Sequence, residues 1–350
     1  MNNITTRYNF FLNSLSIHQA PLIRKLAERK PVTVYYDNDI SKARKGLGWS
    51  IPSFGNAELV KIDFETIDFD FLKRENNINI YSGIDAYCNI NHCLNMIAPL
   101  SKSKNIVQME SINCLGFKGF LRKLKYMYLA YSYNGVVDAF LCQGSATMFK
   151  KLGFKNTYDF GYYLDRPFSE NITENKNSKF LYLGSLSKNK QILDLVFAIN
   201  GGNVSLDIYG AELDVTVADI EKAFRGNKSL VYKGVISHDL VPHVLRGYDY
   251  LILPSKKEGW GSVVSEALLS GVSVIVTDSA GIVNYIRTKI DIHIYDFSNM
   301  TNISSFLERL MPLKIKNRIN IVEQASCLTV EFGEKLLLDI IDELKSREEQ

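Results

Sequence analysis

The sequence predicts an α/β protein built from two domains, each with a parallel sheet. Short apolar, β-rich runs recur through both halves: PVTVYY, NINIYSG, NIVQME and AFLCQ before residue 150, then FLYLG, LDIYG, LVYKG, YLILPS, VSVIVTD and IHIYD after residue 178. Between them lie segments with apolar residues at helical spacing, such as Ala20 to Glu28 and Lys188 to Ile199. Strands alternating with helices make parallel sheets. The polar run SENITENKNSK, Ser169 to Lys179, separates the two series and holds almost nothing that folding can bury. At 350 residues the chain is also long for one core. The reading is a first Rossmann-like domain over 1–165, a linker over 166–179, a second such domain over 180–325 and a C-terminal helix over 326–350 that can pack back on the first.

Composition narrows the class. Hydrophobic residues at 46% and charged residues at 23% fit a soluble globular protein and exclude a disordered or fibrous one. A net charge of +3 is too small to imply nucleic-acid binding, so no nucleic-acid partner is expected. The opening MNNITTRYNFFLNSLS lacks the basic start and apolar core of a secretory signal, and nowhere do about 18 apolar residues run together. A cytoplasmic protein is expected. Cys88, Cys93, Cys114, Cys142 and Cys327 are an odd, dispersed set that suits reduced thiols. Cys88, His92 and Cys93 lie close together, but no second pair completes four ligands, so no metal is expected. No GxGxxG follows the PVTVYY strand, which argues against a dehydrogenase.

In the first half, LSIHQAPLIRKLAERKP reads as a loop entering an amphipathic helix, with His18 placed either to meet a substrate or to serve as a structural or solvated residue. Glu110 stands just beyond the NIVQM run, where a parallel sheet presents its ligands. It can bind sugar hydroxyls or take a proton, or equally cap an amide or pair with a cation. GFKGFLRKLKYMYLAYSY, residues 116–133, places Phe117, Phe120, Leu121, Leu124 and Tyr128 on one side of a helix, with Lys118, Arg122 and Lys125 on another and Lys123 beside them. It suits an anionic membrane surface, or a surface helix with its apolar side in the core.

In the second half, the FLYLG strand ends at Gly184, and Lys190 stands near the start of the next helix, where backbone amides and a lysine together can meet a phosphate. Gly210 and Gly234 end two further strands, as residues that let a ring or phosphate approach or simply as turn formers. His238 and His243 are expected to face solvent. The central stretch is YLILPSKKEGWGSVVSEALLSGVSVIVTD, Tyr250 to Asp278. It reads strand, loop, helix, strand, with Glu258 in the loop and Glu266 one turn into a helix starting near Ser262. Gly259 and Gly261 allow a loop whose amides point at an anion, and the helix adds its positive end. A diphosphate fits there, and Glu266 suits paired ribose hydroxyls.

PSKKEGWGSVVSEALLSGVSVIVTD, supported by YLGSLSKNK and VYKGVISHDLVPHVLRGYDYLILPS, resembles the retaining nucleotide-sugar glycosyltransferases of the family-4 type, glycosyltransferase group 1, of the kind that builds bacterial surface polysaccharide. The likeness covers Phe180 to about Ile286 and carries an E-x7-E signature through Glu258 and Glu266. It implies a GT-B fold, α/β with two facing Rossmann-like domains and a nucleotide-sugar cleft between them. The first domain would bind the acceptor and the second the donor. By the same resemblance Glu258 contacts the transferred sugar, Glu266 the ribose and Lys190 the diphosphate, while Gly234 and Val235 meet the nucleobase. Gly184, Ser185, Gly210, Gly259, Trp260, Gly261, Ser262 and Val263 complete the donor-side set, and Glu110 and His18 belong to the acceptor side. Ser185 stands where the family has an arginine. The family needs neither metal nor cofactor. The implied donor is a nucleoside-diphosphate sugar, with UDP ahead of GDP, and the basic amphipathic segment at 116–133 adds the expectation of a sugar acceptor linked to polyprenyl diphosphate at the inner face of the membrane. A sugar-nucleotide epimerase or hydrolase of the same fold, or a GT-B-like binding subunit without catalysis, stays open as an alternative.

Overall fold

The computed structural model describes residues 5–40, 50–112, 114, 116–166, 174–176 and 179–347. The chain divides into two units. One holds the first strands, Ile51–Tyr163 and the C-terminal segment from Val330, and the other holds Leu164–Thr329. Most of the linker expected over 166–179 lies outside the described residues.

The first unit begins with a strand that the apolar pattern does not announce, β1 (Arg7–Ser14). It is followed by α1 (Ala20–Ala27), β2 (Val32–Asn38), β3 (Glu58–Lys61), α2 (Phe69–Leu72), β4 (Asn77–Tyr81), α3 (Cys88–Ile97), β5 (Lys104–Glu110), α4 (Gly116–Tyr133), β6 (Ala139–Gln143), α5 (Ala146–Lys151) and β7 (Thr157–Phe160). Among the described residues these strands form one seven-stranded sheet in the order β3-β2-β1-β4-β5-β6-β7, and every pairing is parallel. β1 is central and buried on both faces. Its Asn9 amide disguises it in sequence, because that amide is satisfied inside the sheet, donating to Asn77 Oδ1 at 3.1 Å and Asn79 Oδ1 at 2.9 Å. β3 escapes notice for the opposite reason, being an exposed edge strand.

The C-terminal helix, Val330–Ser346, buries Val330, Gly333, Leu337, Ile340, Ile341 and Leu344, a helical stripe that joins the same core as Leu22, Leu26 and Tyr163. It starts after a 3-10 turn at Ala325–Leu328, later than the expected 326. A Cβ on Gly333 would lie 2.3 Å from the Tyr163 ring, so only glycine lets that ring seat against the helix.

The second unit runs β8 (Phe180–Leu183), α6 (Ile192–Ile199), β9 (Leu206–Tyr209), α7 (Val217–Phe224), β10 (Leu230–Gly234), a 3-10 turn (His238–Leu240), α8 (Val241–Leu245), β11 (Tyr250–Leu253), α9 (Ser262–Leu269), β12 (Ser273–Val276), α10 (Gly281–Ile286), β13 (His293–Ile294), α11 (Ile303–Glu308) and α12 (Ile315–Gln324). Its parallel strands are ordered β10-β9-β8-β11-β12-β13. The order reverses between β8 and β11, so the loops leaving their carboxyl ends turn to opposite sides and leave a crevice.

The opposite end of β11 is anchored by Asp249, which is fully buried. Its Oδ1 accepts from Arg318 Nη2 at 2.7 Å and from the Leu313 amide at 2.9 Å; its Oδ2 accepts from Asn175 Nδ2 at 2.9 Å and from the Lys179 amide at 3.0 Å. A buried pair of this kind adds little over an apolar one, but removing one partner strands the other charge. Asp249→Ala should therefore cost about 3–5 kcal/mol of stability. Chemical denaturation followed through Trp260 fluorescence checks this, and a loss below about 1 kcal/mol would contradict the anchoring role.

Candidate functional site

Across the β8/β11 crevice the two outgoing loops meet. Lys190, in the turn that leads from β8 into α6, forms an ion pair with Glu258 Oε2 in the loop after β11. The same oxygen accepts from Ser255 Oγ at 3.0 Å. Asn189 clasps the two loops through backbone and side chain: its carbonyl accepts from the Lys256 amide at 2.8 Å, and its Nδ2 donates to the Lys257 carbonyl at 2.9 Å. Behind them the Tyr182 hydroxyl donates to the Ser185 carbonyl at 2.7 Å, and burial, with the Glu258 charge, pushes its pKa up so that it stays a donor.

The Gly259–Gly261 segment is positioned by the next helix. The Gly281 amide donates to the Gly259 carbonyl at 2.9 Å and the Ile282 amide to the Trp260 carbonyl at 3.0 Å, which fixes the loop carbonyls toward α10. Gly261 caps α9 in the left-handed region with φ of 90°, a conformation that costs glycine little. α9 starts at Ser262, followed by the half-buried Val263, and Glu266 lies one turn in with its side chain 11% exposed.

Two sequence expectations change here. His238, expected to face solvent, places Nε2 2.9 Å from Glu266 Oε1. The imidazole's pKa is raised, chiefly by that hydrogen bond. Trp260 is a core residue: its indole is buried, donates to Ser265 Oγ at 3.2 Å and packs 5.6 Å from the Tyr285 ring, so the ring lines no ligand surface. Gly210 is needed for close backbone packing, since a Cβ there would lie 1.7 Å from the carbonyl oxygen of Gly184, just after β8. Gly234 is different. It has φ of 91° and open space where a Cβ would stand, and the exposed Val235 follows it. His243 is exposed, as expected.

A cavity of about 900 Å³ also opens at the carboxyl ends of β11, β12 and β13, lined among others by Gln191, Asp194, Ser255, Lys256, Thr277 and Asp296. It shares Gln191, Ser255 and Lys256 with the two crevice loops, while Glu258 and Glu266 lie outside its lining.

In the first unit, the structure brings His18 and Glu110 to one residue that the sequence reading missed. The Tyr162 hydroxyl donates to Glu110 Oε1 at 2.8 Å, and its ring lies 5.5 Å from the His18 imidazole. Burial first, then the Glu110 charge, raises the Tyr162 pKa and keeps the phenol protonated. Gln19 Nε2 donates to Gln108 Oε1 at 2.8 Å beside them. On α4, the apolar residues face outward: Phe117 is 77% exposed and Tyr131 87%, with Phe120, Leu121, Leu124 and Tyr128 also exposed, while Gly119, Leu129 and Ala130 are buried. Lys118, Arg122, Lys123 and Lys125 are exposed too, and Lys125 pairs with Asp85 at 2.5 Å. Among the described residues no helix is long and apolar enough to cross a membrane.

Residues 165–326 match the family model for glycosyl transferases group 1, and this segment is a group 1 glycosyltransferase domain. Among solved structures the chain is similar to HepE (Alr3699) of Anabaena, solved with UDP and glucose, at 12% identity and a TM-score of 0.65 over 97% of this chain and 100% of that one. It is similar to a glycosyltransferase from Rickettsia africae at 10% identity and a TM-score of 0.67, covering 97% and 98%. A TarM variant of S. aureus, solved with fondaparinux, alpha-GlcNAc-glycerol and UDP, matches at 14% identity and a TM-score of 0.56, covering 79% of this chain and 57% of that one. The fold is GT-B. No match was found among curated protein sequences.

The His238–Glu266 contact predicts a pH dependence. A folded-state pKa raised above the ordinary 6.5 stabilises fully below that value, and the contribution fades as pH rises through the folded-state pKa. The thermal midpoint of the wild type should exceed that of His238→Gln near about pH 6, and the gap should narrow by about pH 9. A gap that does not change with pH would contradict the pairing.

Proposed function

We propose that this chain is a retaining glycosyltransferase. It moves a hexose or an N-acetylhexosamine from a nucleoside-diphosphate sugar, UDP ahead of GDP, to a sugar acceptor carried on a lipid such as polyprenyl diphosphate, in the assembly of surface polysaccharide such as O-antigen or capsule. The observation that carries this reading is the meeting of Lys190 and Glu258 across the β8/β11 crevice, with Glu266 one turn inside the helix that follows. The group 1 domain model over 165–326 and the UDP bound by HepE support it.

Each residue then has a chemical task. Lys190 and Glu258 neutralise each other. An incoming diphosphate, more highly charged than one carboxylate, takes the Lys190 ammonium and releases Glu258 to accept hydrogen bonds from the sugar hydroxyls. The amides of Gly259, Gly261, Ser262 and Val263 and the start of α9 add positive potential beside the phosphates. Glu266 accepts from the ribose hydroxyls, and the open backbone at Gly234 and Val235 leaves room for a base. Ser185 brings no charge where the family has an arginine, so Lys190 carries more of that neutralisation.

In the transfer step the bond from the anomeric carbon to the diphosphate oxygen breaks, and a bond to the acceptor oxygen forms on the same face. The acceptor proton passes to a leaving phosphate oxygen. Charge growing on that phosphate is met by Lys190, the loop amides and the helix end, without a metal. Glu110, Tyr162 and His18, brought together in the first unit, are the acceptor-side residues. The outward aromatic and basic side chains of α4 seat the enzyme on the anionic cytoplasmic face of the membrane, where a lipid-linked acceptor is found. An epimerase or hydrolase of the same fold would use His18, Tyr162 and Glu110 as acid and base, and would release an altered or free sugar instead of a glycoside.

Glu258→Ala should lower glycoside formation by about a hundredfold or more with the true donor. Unimpaired transfer by a purified variant would contradict the assignment. Changing Lys118, Arg122, Lys123 and Lys125 to glutamate should release the protein from anionic vesicles in a sedimentation assay. These changes also remove the Lys125–Asp85 ion pair, which is exposed and worth at most about 1 kcal/mol, so the fold should persist. Unchanged sedimentation would contradict the membrane role and leave the transferase assignment standing.

A further inference from the structure

The loop that leaves β10 does two things within five residues. It leaves open space beside the Cα of Gly234, and it returns His238 to the carboxylate of Glu266. An unheld glutamate side chain turns about three torsions and spreads its two oxygens over many positions. Here Oε1 is fixed 2.9 Å from His238 Nε2. A carboxylate only accepts, so the imidazole donates from Nε2, and the lone pairs of Oε2 remain for a ligand. The side chain is also shielded, 11% exposed on a helix turn whose neighbours Val264, Ala267 and Leu268 are buried. Shielding strengthens each hydrogen bond the carboxylate makes and makes a missing one costly. His238 is itself 36% exposed and is seated in the 3-10 turn, where its carbonyl accepts from the Val241 amide.

We propose that His238 is a positioning residue for Glu266, and that through this contact the chain prefers ribonucleotides to 2′-deoxyribonucleotides. The inference rests on the nucleotide-sugar reading above. It adds that recognition of the sugar of the nucleotide is set by the β10 loop as well as by α9. A ligand entering at Gly234 and Val235 meets a carboxylate already aimed by the same loop. Orientation supplied in advance is what turns one shielded acceptor into a discriminating one.

Isothermal titration of the purified full chain with UDP, 2′-deoxy-UDP, GDP and 2′-deoxy-GDP tests this. The wild type should bind the ribo form of its preferred nucleotide at least about tenfold more tightly than the deoxy form, as expected when a hydrogen bond to a charged acceptor is missing. His238→Ala should bring that ratio to within about threefold, with the affinity for the deoxy form nearly unchanged. His238→Gln, whose amide can still donate to the carboxylate, should restore the preference. If His238→Ala weakens both forms equally or leaves the ratio unchanged, the positioning role is overturned while nucleotide binding stands. If the wild type binds none of the four, the nucleotide-sugar reading falls, and this inference with it.

Discussion

The ion pair of Lys190 and Glu258 joins two loops that the sheet sends in opposite directions. β8 and β11 are neighbours at the point where strand order reverses, so their connections leave on opposite sides and a crevice opens between them. Two charges of one sign there would force the loops apart. With a lysine on one and a glutamate on the other they close on each other, and Asn189 locks the closure through its carbonyl and its side-chain amide. The arrangement is provisional by its chemistry. Each charge is satisfied by the other, and both can be re-paired by a ligand that offers phosphate to the lysine and hydroxyls to the glutamate. Asp249 supports this from the far end of β11, where four donors hold one carboxylate and so fix the strand whose other end carries Glu258.

The first unit is built on a different balance. Its sheet is pinned by neutral amides, Asn9, Asn77 and Asn79, bonded to one another in the interior. A network of that kind fixes register without placing charge in the core. One end of it gathers a carboxylate, a phenol and an imidazole, where the second unit's crevice pairs a cation with a carboxylate. α4 adds a face of exposed aromatic and aliphatic side chains whose burial would release about 25 cal/mol per Å².

Much of the second unit was legible in sequence because its chemistry is local. Glu258, the glycine loop and Glu266 lie in one strand–loop–helix–strand segment, so an eight-residue spacing was enough to place both carboxylates. Lys190 was readable from its place before a helix, although its partner was not. What stayed hidden depends on long-range contacts. His238 meets Glu266 across 28 residues, and Tyr162 meets Glu110 across 52, and neither leaves a periodic trace. β1 stayed hidden because Asn9 looks like a solvent residue until its amide partners are known. Trp260 misled in the other direction: an aromatic near a ligand loop suggests contact, but its indole is buried against Tyr285. The periodicity of α4 defined its apolar side but carried no information about which way that side turns.

Nucleotide binding at the β8/β11 crevice underlies every role assigned to the second unit, and hydrogen exchange with and without saturating UDP measures it directly. Exchange should slow in three segments: Gly184 to Lys190, Gly234 to His238 and Glu258 to Glu266. UDP that binds and protects instead the cavity wall around Asp296 to Thr301, or that leaves those three segments exchanging at their free rates, would contradict it.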